Sequence, residues 1–256
     1  MGTVIAVANQ KGGVGKTTVT VNLGAALAER GKKVLLIDLD PQGNLTMAVG
    51  LNPPELKETV YDLLVKPEQV AAKVVQHLPH QEGVEIIPAN IDLSGAELEL
   101  VGKVGREQIL KEHIAEIEGS YDYILIDCSP SLSVLTVNAL TAAGFVLIPV
   151  ECEYFALKGM ERLLSTIREV KRRVNHRLEI IGIVPNKYDP RTLHSREVME
   201  VMEREYGDLL IRVSIRRRIS LVDAAVGARS VIEYSRHSDV AESFRQLAEV
   251  IDAKAS

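Results

Sequence analysis

Short apolar runs alternate with longer amphipathic stretches along this chain. The runs Thr3–Ala8, Lys33–Ile37, Val84–Pro88, Tyr123–Ile126, Val146–Val150, Ile180–Pro185 and Leu209–Val213 have the length and aliphatic character of strands. Stretches of helical length lie between them, among them Thr17–Arg30, Leu132–Ala142, Leu157–Val174, Ser195–Tyr206 and Asp239–Ala253. This alternation predicts an α/β fold, a doubly wound, mostly parallel sheet flanked by helices. Gly31 stands where a C-terminal cap would stop the first long helix. Residues 51–82 are the least regular part and read as a helical insertion beside the functional site. No repeat, low-complexity tract or linker interrupts the pattern, so residues 1–256 are expected to form one domain.

Composition sharpens this picture. Apolar residues make up 46% of the chain yet Trp is absent, so the core must be built from Val, Ile, Leu and Ala, as suits strands covered on both faces. The net charge of −5 is not that of a general nucleic-acid coat, so any such binding must come from a local patch. Cys128 and Cys152 form no CxxC pair, which gives neither a zinc signature nor a disulfide framework and fits a reducing cytoplasm. The chain opens directly on a strand with no leader pattern, and no apolar run reaches the ~18 residues of a membrane span.

The strongest local signal follows the first strand: Asn9-Gln10-Lys11-Gly12-Gly13-Val14-Gly15-Lys16-Thr17-Thr18. A strand, a glycine loop and a helix is the context of a phosphate cradle. Gly12, Gly13 and Gly15 let the backbone wrap around phosphate oxygens. The N–H groups at the helix start, through Val14 and Thr18, point at the same place, where the helix dipole favours negative charge. Lys16 supplies a cation to the β/γ-phosphates, and the Thr17 hydroxyl can ligate Mg²⁺. The ordinary consensus has glycine where this chain has Gln10, and Lys11 is an additional lysine.

Acids follow two later strands. Leu35-Leu36-Ile37 leads into Asp38-Leu39-Asp40, and Tyr123-Ile124-Leu125-Ile126 into Asp127. Ligands of parallel sheets sit at the carboxyl ends of the strands. One of Asp38 and Asp40 can hold a water of a Mg²⁺ shell while the other orients an attacking water. Asp127 is placed as a Walker B acid, approaching Mg²⁺ directly or through water. Ser129-Pro130-Ser131 then forms a turn able to sense a γ-phosphate.

Taken together, NQKGGVGKTT, LLIDLDPQGN and ILIDCSPSL resemble, in order and spacing, the ParA/Soj family of partition ATPases, within the wider group that includes MinD and nitrogenase iron protein. The resemblance spans essentially the whole chain. It implies that Lys11 is the signature lysine that crosses a homodimer to the ATP of the other subunit. A lysine not needed in a loop that already has Lys16 agrees with that role. It implies that Asp40 positions the hydrolytic water, that Asp38 and Asp127 reach Mg²⁺ through water, and that Asn186 reads the adenine edge.

The resemblance also implies slow, partner-stimulated hydrolysis, binding of the ATP dimer to non-specific double-stranded DNA, a ParB-like or other cargo adaptor, and a cytoplasmic, nucleoid-associated protein. Arg191 and Arg217 match family arginines, whereas a further one falls at Ser220, where neighbouring Arg216 and Arg218 could compensate. The Glu-Ala-Pro segment of relatives is Asp223-Ala224-Ala225 here. Two other outputs are weighed by the tail. A MinD-like membrane cycle needs a basic amphipathic C-terminal helix, and Asp239–Ala253 is amphipathic but acidic. A dimeric ATPase scaffold that handles protein without DNA is the other alternative.

Overall fold

A computed structural model describes residues 2–66, 68–78 and 81–255. Its seven strands are β1 (Thr3–Val7), β2 (Val34–Leu39), β3 (Gln76–His77), β4 (Val84–Ile87), β5 (Tyr123–Cys128), β6 (Phe145–Glu151) and β7 (Glu179–Asn186). They form one sheet in the order β3-β4-β2-β5-β1-β6-β7. All pairings are parallel except β3 with β4. The helices are α1 (Lys16–Glu29), α2 (Asn44–Ala48), α3 (Val60–Val65), α4 (Ala71–Val74), α5 (Leu93–Leu100), α6 (Ile109–Ile117), α7 (Val134–Ala142), α8 (Tyr154–Arg173), α9 (Leu193–Tyr206), α10 (Ile219–Val226), α11 (Val231–Tyr234) and α12 (Asp239–Ala255).

Strand alternation divides the core into two. Ile5 and Val7 of β1 with Val34 and Leu36 of β2 pack under α1, α11 and α12. Val4, Ala6, Leu35 and Ile37 face the opposite side, under α3 and α5 to α9. Both sheet faces are covered, which is why the strands read as continuous aliphatic runs. The parity decides the site as well. Asp38 shares the α1 side with Leu36, and Asp127 shares it with Leu125.

Sheet order reverses around β1: the chain passes to β2 on one side and reaches β6 on the other. A crevice opens at the carboxyl end of a strand at such a switch point, and the glycine loop lies there. Two expectations need correction. Leu209–Val213 is not a strand; it follows a single helical turn, Gly207–Leu209, and touches β7 through one isolated bridge, Ile183 to Leu210. Pro185 has no N–H to continue a ladder on that side. Residues 51–82 carry short helices as expected, but end in the antiparallel edge strand β3. None of their described residues lines the crevice. In α12, the apolar row Val240, Phe244, Leu247 and Ile251 is buried in the core. No described helix is long and apolar enough to cross a membrane.

Candidate functional site

The loop between β1 and α1 is held by two side-chain amides, one its own and one from β7. Asn9 Nδ2 donates to Pro149 O at 2.7 Å and Asn9 Oδ1 accepts from Lys11 N at 3.0 Å. Asn186, at the end of β7, donates from Nδ2 to Val14 O at 2.7 Å. Gly15 has φ 89°, and a Cβ built there would lie 2.2 Å from Asn186 Nδ2. Glycine is thus required twice over, by conformation and by close approach. Gly15 caps α1 without any side-chain hydrogen bond, so the N–H groups of the first turn stay open to an anion. Lys16, the first helical residue, is buried, and that burial lowers its pKa against the pull of Asp127 and Asp40.

Facing this helix start are the acids. Asp38 and Asp127 are register partners on β2 and β5, and both are buried. Burial pushes both carboxyls above the usual range, and for Asp127 the charge of Asp38 adds to the effect. Asp38 is compensated: Oδ2 accepts from Thr46 N at 2.8 Å and Thr46 Oγ1 at 2.7 Å, while Oδ1 accepts from Asp40 N at 3.2 Å. Asp127 is not. Its Oδ2 accepts from Thr17 Oγ1 at 2.6 Å, but its buried Oδ1 has no hydrogen-bond partner. Asp40 turns into the crevice, its Oδ1 accepting from Gln42 N at 3.0 Å.

This donor set fits one hard cation. Thr17 Oγ1 and the carboxylates of Asp127 and Asp38 are oxygen groups beside an anion cradle. Mg²⁺ is characteristically bound by one or two carboxylates together with substrate phosphates and water. No group of three or more His, Cys, Asp or Glu able to form an all-protein cage occurs among the described residues.

The crevice has a volume of ≈ 850 Å³ and runs from Gly12 through Asp40 and Ser129 to Lys187, Leu221 and Arg229. Leu221 and Ala225 of α10 contribute apolar lining to it. Lys187 holds a left-handed backbone, φ 53°, strain of the kind found at binding sites. Lys11 is linked to the crevice-lining Lys187 through a shared acid. Its Nζ donates to Glu151 Oε2 at 3.1 Å and Glu153 Oε2 at 3.0 Å. Lys187 Nζ reaches the other oxygen of Glu151 at 3.2 Å. Burial works against the Lys11 charge, yet these acids outweigh it and raise its pKa.

Gly12, Gly13, Gly15 to Thr18 and Asp40 thus line one crevice, while the buried Asp127 adjoins it through Thr17, Asp38 lies in register beside Asp127, and Lys11 and the buried Val14 stay off its wall. Asn186 sits beneath the loop and braces it, whereas the neighbouring Lys187 lines the crevice. Arg191, Arg216, Arg217 and Arg218 lie apart from it, where Tyr188 bridges to Arg216. Arg191 forks onto Asp189 at 2.9 and 2.8 Å, and Arg216 and Arg218 both contact Asp239. The sequence reading missed Asn9, Thr46 and Glu151. Glu151 carried a usable signal, an acid directly after an aliphatic strand, the same one that marks Asp38 and Asp127. Cys128 and Cys152 are buried free thiols.

A family model described as an AAA domain matches residues 2–180. The sporulation initiation inhibitor protein Soj of Bacillus subtilis is 44% identical over 253 residues, covering 99% of this chain and 99% of its own. The chromosome partitioning protein ParA of Caulobacter vibrioides is 43% identical over 248 residues, covering 96% of this chain and 92% of its own. Among solved structures, a cobyrinic acid a,c-diamide synthase from Mycobacterium smegmatis with bound ATP analog and magnesium matches with a TM-score of 0.85 at 40% identity, over 97% of this chain and 93% of that one.

Proposed function

The chain belongs to the ParA/Soj family of P-loop ATPases, and on that premise we propose that it is a single-domain molecular switch. It binds Mg·ATP, forms a homodimer around two nucleotides, binds non-specific duplex DNA in that state, and hydrolyses ATP slowly until a cargo-bound, ParB-like adaptor accelerates the reaction. In this reading the protein is cytoplasmic and nucleoid-associated. The observation that carries it is the unpartnered Asp127 Oδ1 beside Thr17 and Asp38, in front of an uncapped helix start that holds Lys16. That arrangement fits a divalent cation beside a polyphosphate. Magnesium, when bound, supplies positive charge to the transferring phosphoryl group.

The protein's own residues divide the remaining work. The α1 N–H groups and Lys16 hold the β/γ-phosphates. Thr17 and Asp127 seat the cation, with Asp38 orienting its water shell. Asp40 positions the water for in-line attack on the γ-phosphate. Lys11 of the partner subunit stabilises the charge that develops there, in a site from which water has been excluded. To do so, Lys11 must leave Glu151 and Glu153. Leu221 and Ala225 offer an apolar face to the base, while Asn186 keeps one N–H for a purine edge and uses the other to brace the loop.

The burial of α12 against α1 and the sheet favours DNA over a membrane cycle, because the helix has no apolar face left for lipid. The test is binding to duplex DNA of arbitrary sequence without nucleotide, with ADP and with ATP, across a salt series, using the Asp40→Ala protein to hold the ATP state. Binding confined to ATP and weakening steeply with salt supports the switch. An ATP-dependent dimer that ignores DNA at low salt would sink the DNA part and leave a protein-handling ATPase.

A further inference from the structure

Beside β7 the segment from Leu210 to Arg216 pairs only at intervals and bends at Arg212. Ile211 N donates to Ile183 O at 2.9 Å and Ile215 N to Pro185 O at 2.8 Å. Ile211 and Ile215 are buried, whereas Arg212, Ser214 and Arg216, with Val213 between them, border a surface groove. On α12, Asp239, Ser243 and Gln246 recur at the i, i+4, i+7 spacing of one helix face. The two rows line a common groove of ≈ 270 Å³.

The groove is rich in donors: two guanidiniums, two hydroxyls and an amide. Its one carboxylate, Asp239, is engaged by both flanking arginines. Arg218 Nε lies 3.1 Å from each Asp239 oxygen and its Nη2 makes a closer contact, while Arg216 Nη1 lies 3.6 Å from Oδ2. Among the described residues Arg212 and Arg217 make no ion pair. Arg191, forked onto Asp189, is close enough to Arg218 for their charges to interact. Five arginines therefore face two acids on a chain whose net charge is −5, a local reversal of sign.

We propose that this groove is a phosphate seat of the DNA-binding surface, and that Asp239 is a competitor built into it. In the free chain Asp239 occupies Arg216 and Arg218. On duplex DNA a backbone phosphate takes their donors, with Arg212, Ser214 and Gln246 completing the seat. An exposed ion pair is weak in water and screened by salt, so the exchange is easy. A phosphate also accepts the guanidinium fork and releases counterions as it binds. The inference rests on the DNA reading above and extends that surface to residues on α12 and the β7 edge.

The test compares wild type, Asp239→Asn, Arg212→Ala and Arg191→Ala in the ATP state, on a labelled duplex of arbitrary sequence across a salt series. Glu116→Gln, a charge change on α6 across the sheet, serves as control. Asp239→Asn is expected to tighten binding several-fold. Arg212→Ala is expected to weaken it and to reduce the slope of log K on log salt by about 0.9, one phosphate contact. ATP binding should be unchanged in both. Arg212 is exposed and unpaired, so its variant carries the test if Asp239→Asn does not fold. If Arg191→Ala loses DNA while Arg212→Ala and Asp239→Asn match wild type, the groove is overturned and the DNA reading stands. An equal gain from Glu116→Gln reduces the effect to bulk charge and also overturns the proposal. If no variant binds duplex, or only anionic phospholipid vesicles are bound, both readings fall.

Discussion

Asp38 and Asp127 face each other across adjacent parallel strands, in direct register, 89 positions apart in sequence. Two buried carboxylates side by side repel one another and resist ionisation. Thr46 and the Asp40 N–H hydrogen-bond the first; the second has one hydrogen bond, from Thr17, and the charge of Lys16. The ligand-free chain is therefore destabilised where a cation is to bind. Asp127→Asn should raise its unfolding free energy by about 1 kcal/mol, within the range common for relieving such strain, and raise the melting temperature. The same variant should bind ATP more than about tenfold more weakly in Mg²⁺. Chelating Mg²⁺ should weaken wild type strongly and the variant little. Calorimetry with and without EDTA measures both; a variant that stays as Mg²⁺-dependent as wild type removes Asp127 from the cation site.

Asp40 accepts one backbone hydrogen bond and otherwise faces the crevice. Asp40→Ala should leave ATP affinity within about threefold while lowering turnover by about 10²-fold or more, the scale of a positioned acid or base. Single-turnover phosphate release decides the matter. Hydrolysis at the parental rate would falsify the role given to Asp40.

Gly15 and Asn186 are coupled through the loop. Asn186→Ala removes the bond to Val14 O, and ATP affinity should fall about 5- to 10-fold, matching ~1 kcal/mol for one hydrogen bond. Gly15→Ala should abolish binding, because the new Cβ meets Asn186 and the backbone is left-handed. Combining Gly15→Ala with Asn186→Ala should recover only part of the loss, since relief of the clash leaves φ strained. Full additivity in the double-mutant cycle would show that the two residues do not interact.

Lys11 is held by Glu151 and Glu153 in the isolated chain. Lys11→Ala should bind ATP as a monomer and fail to dimerise. Glu151→Gln should favour the ATP dimer by up to about fivefold, the most that a partly exposed pair of ~1 kcal/mol allows. Sedimentation at several protein concentrations reads both effects. An unchanged dimer constant in Glu151→Gln would mean that the resting contact has no bearing on assembly.

Asp252 ties α12 to the sheet: Tyr123 Oη donates to it at 2.7 Å, and Lys32 and Arg30 flank it. Chiefly through the Tyr123 hydrogen bond, its pKa is held below the ordinary aspartate value of 3.8. A depressed folded pKa means that the charged form favours folding. Its contribution is full above about pH 5 and disappears as pH falls through the folded value. Asp252→Asn should therefore lower the melting temperature at pH 7, by the equivalent of about 1 kcal/mol or less after solvent screening, and make less difference at pH 2. Melting curves at the two pH values provide the comparison.

The parts of the site legible in the sequence are those made by neighbours along the chain. A strand, a glycine loop and a helix start are contiguous from Thr3 to Thr18, so the phosphate cradle could be read without tertiary information. Asp38 and Asp127 were equally legible, because each directly follows an aliphatic strand and parallel strands deliver their carboxyl ends to one edge. Residues 51–82 and Leu209–Val213 were harder. A two-residue edge strand such as β3 has no period to detect, and Leu209–Val213 has strand-like residues but no continuous partner beyond Pro185.

Local propensity and two-residue parity dictate the alternation of strands and helices, the anion-binding loop and the acids that accompany it. Only the tertiary structure decided which distant groups are joined. Asn186 braces a loop 172 residues away, Lys11 rests on an acid 140 residues away, and Asp239 occupies arginines on another element. Each of these pairings depends on sheet order and helix packing, and nothing in the residues between the partners encodes the distance across which they meet.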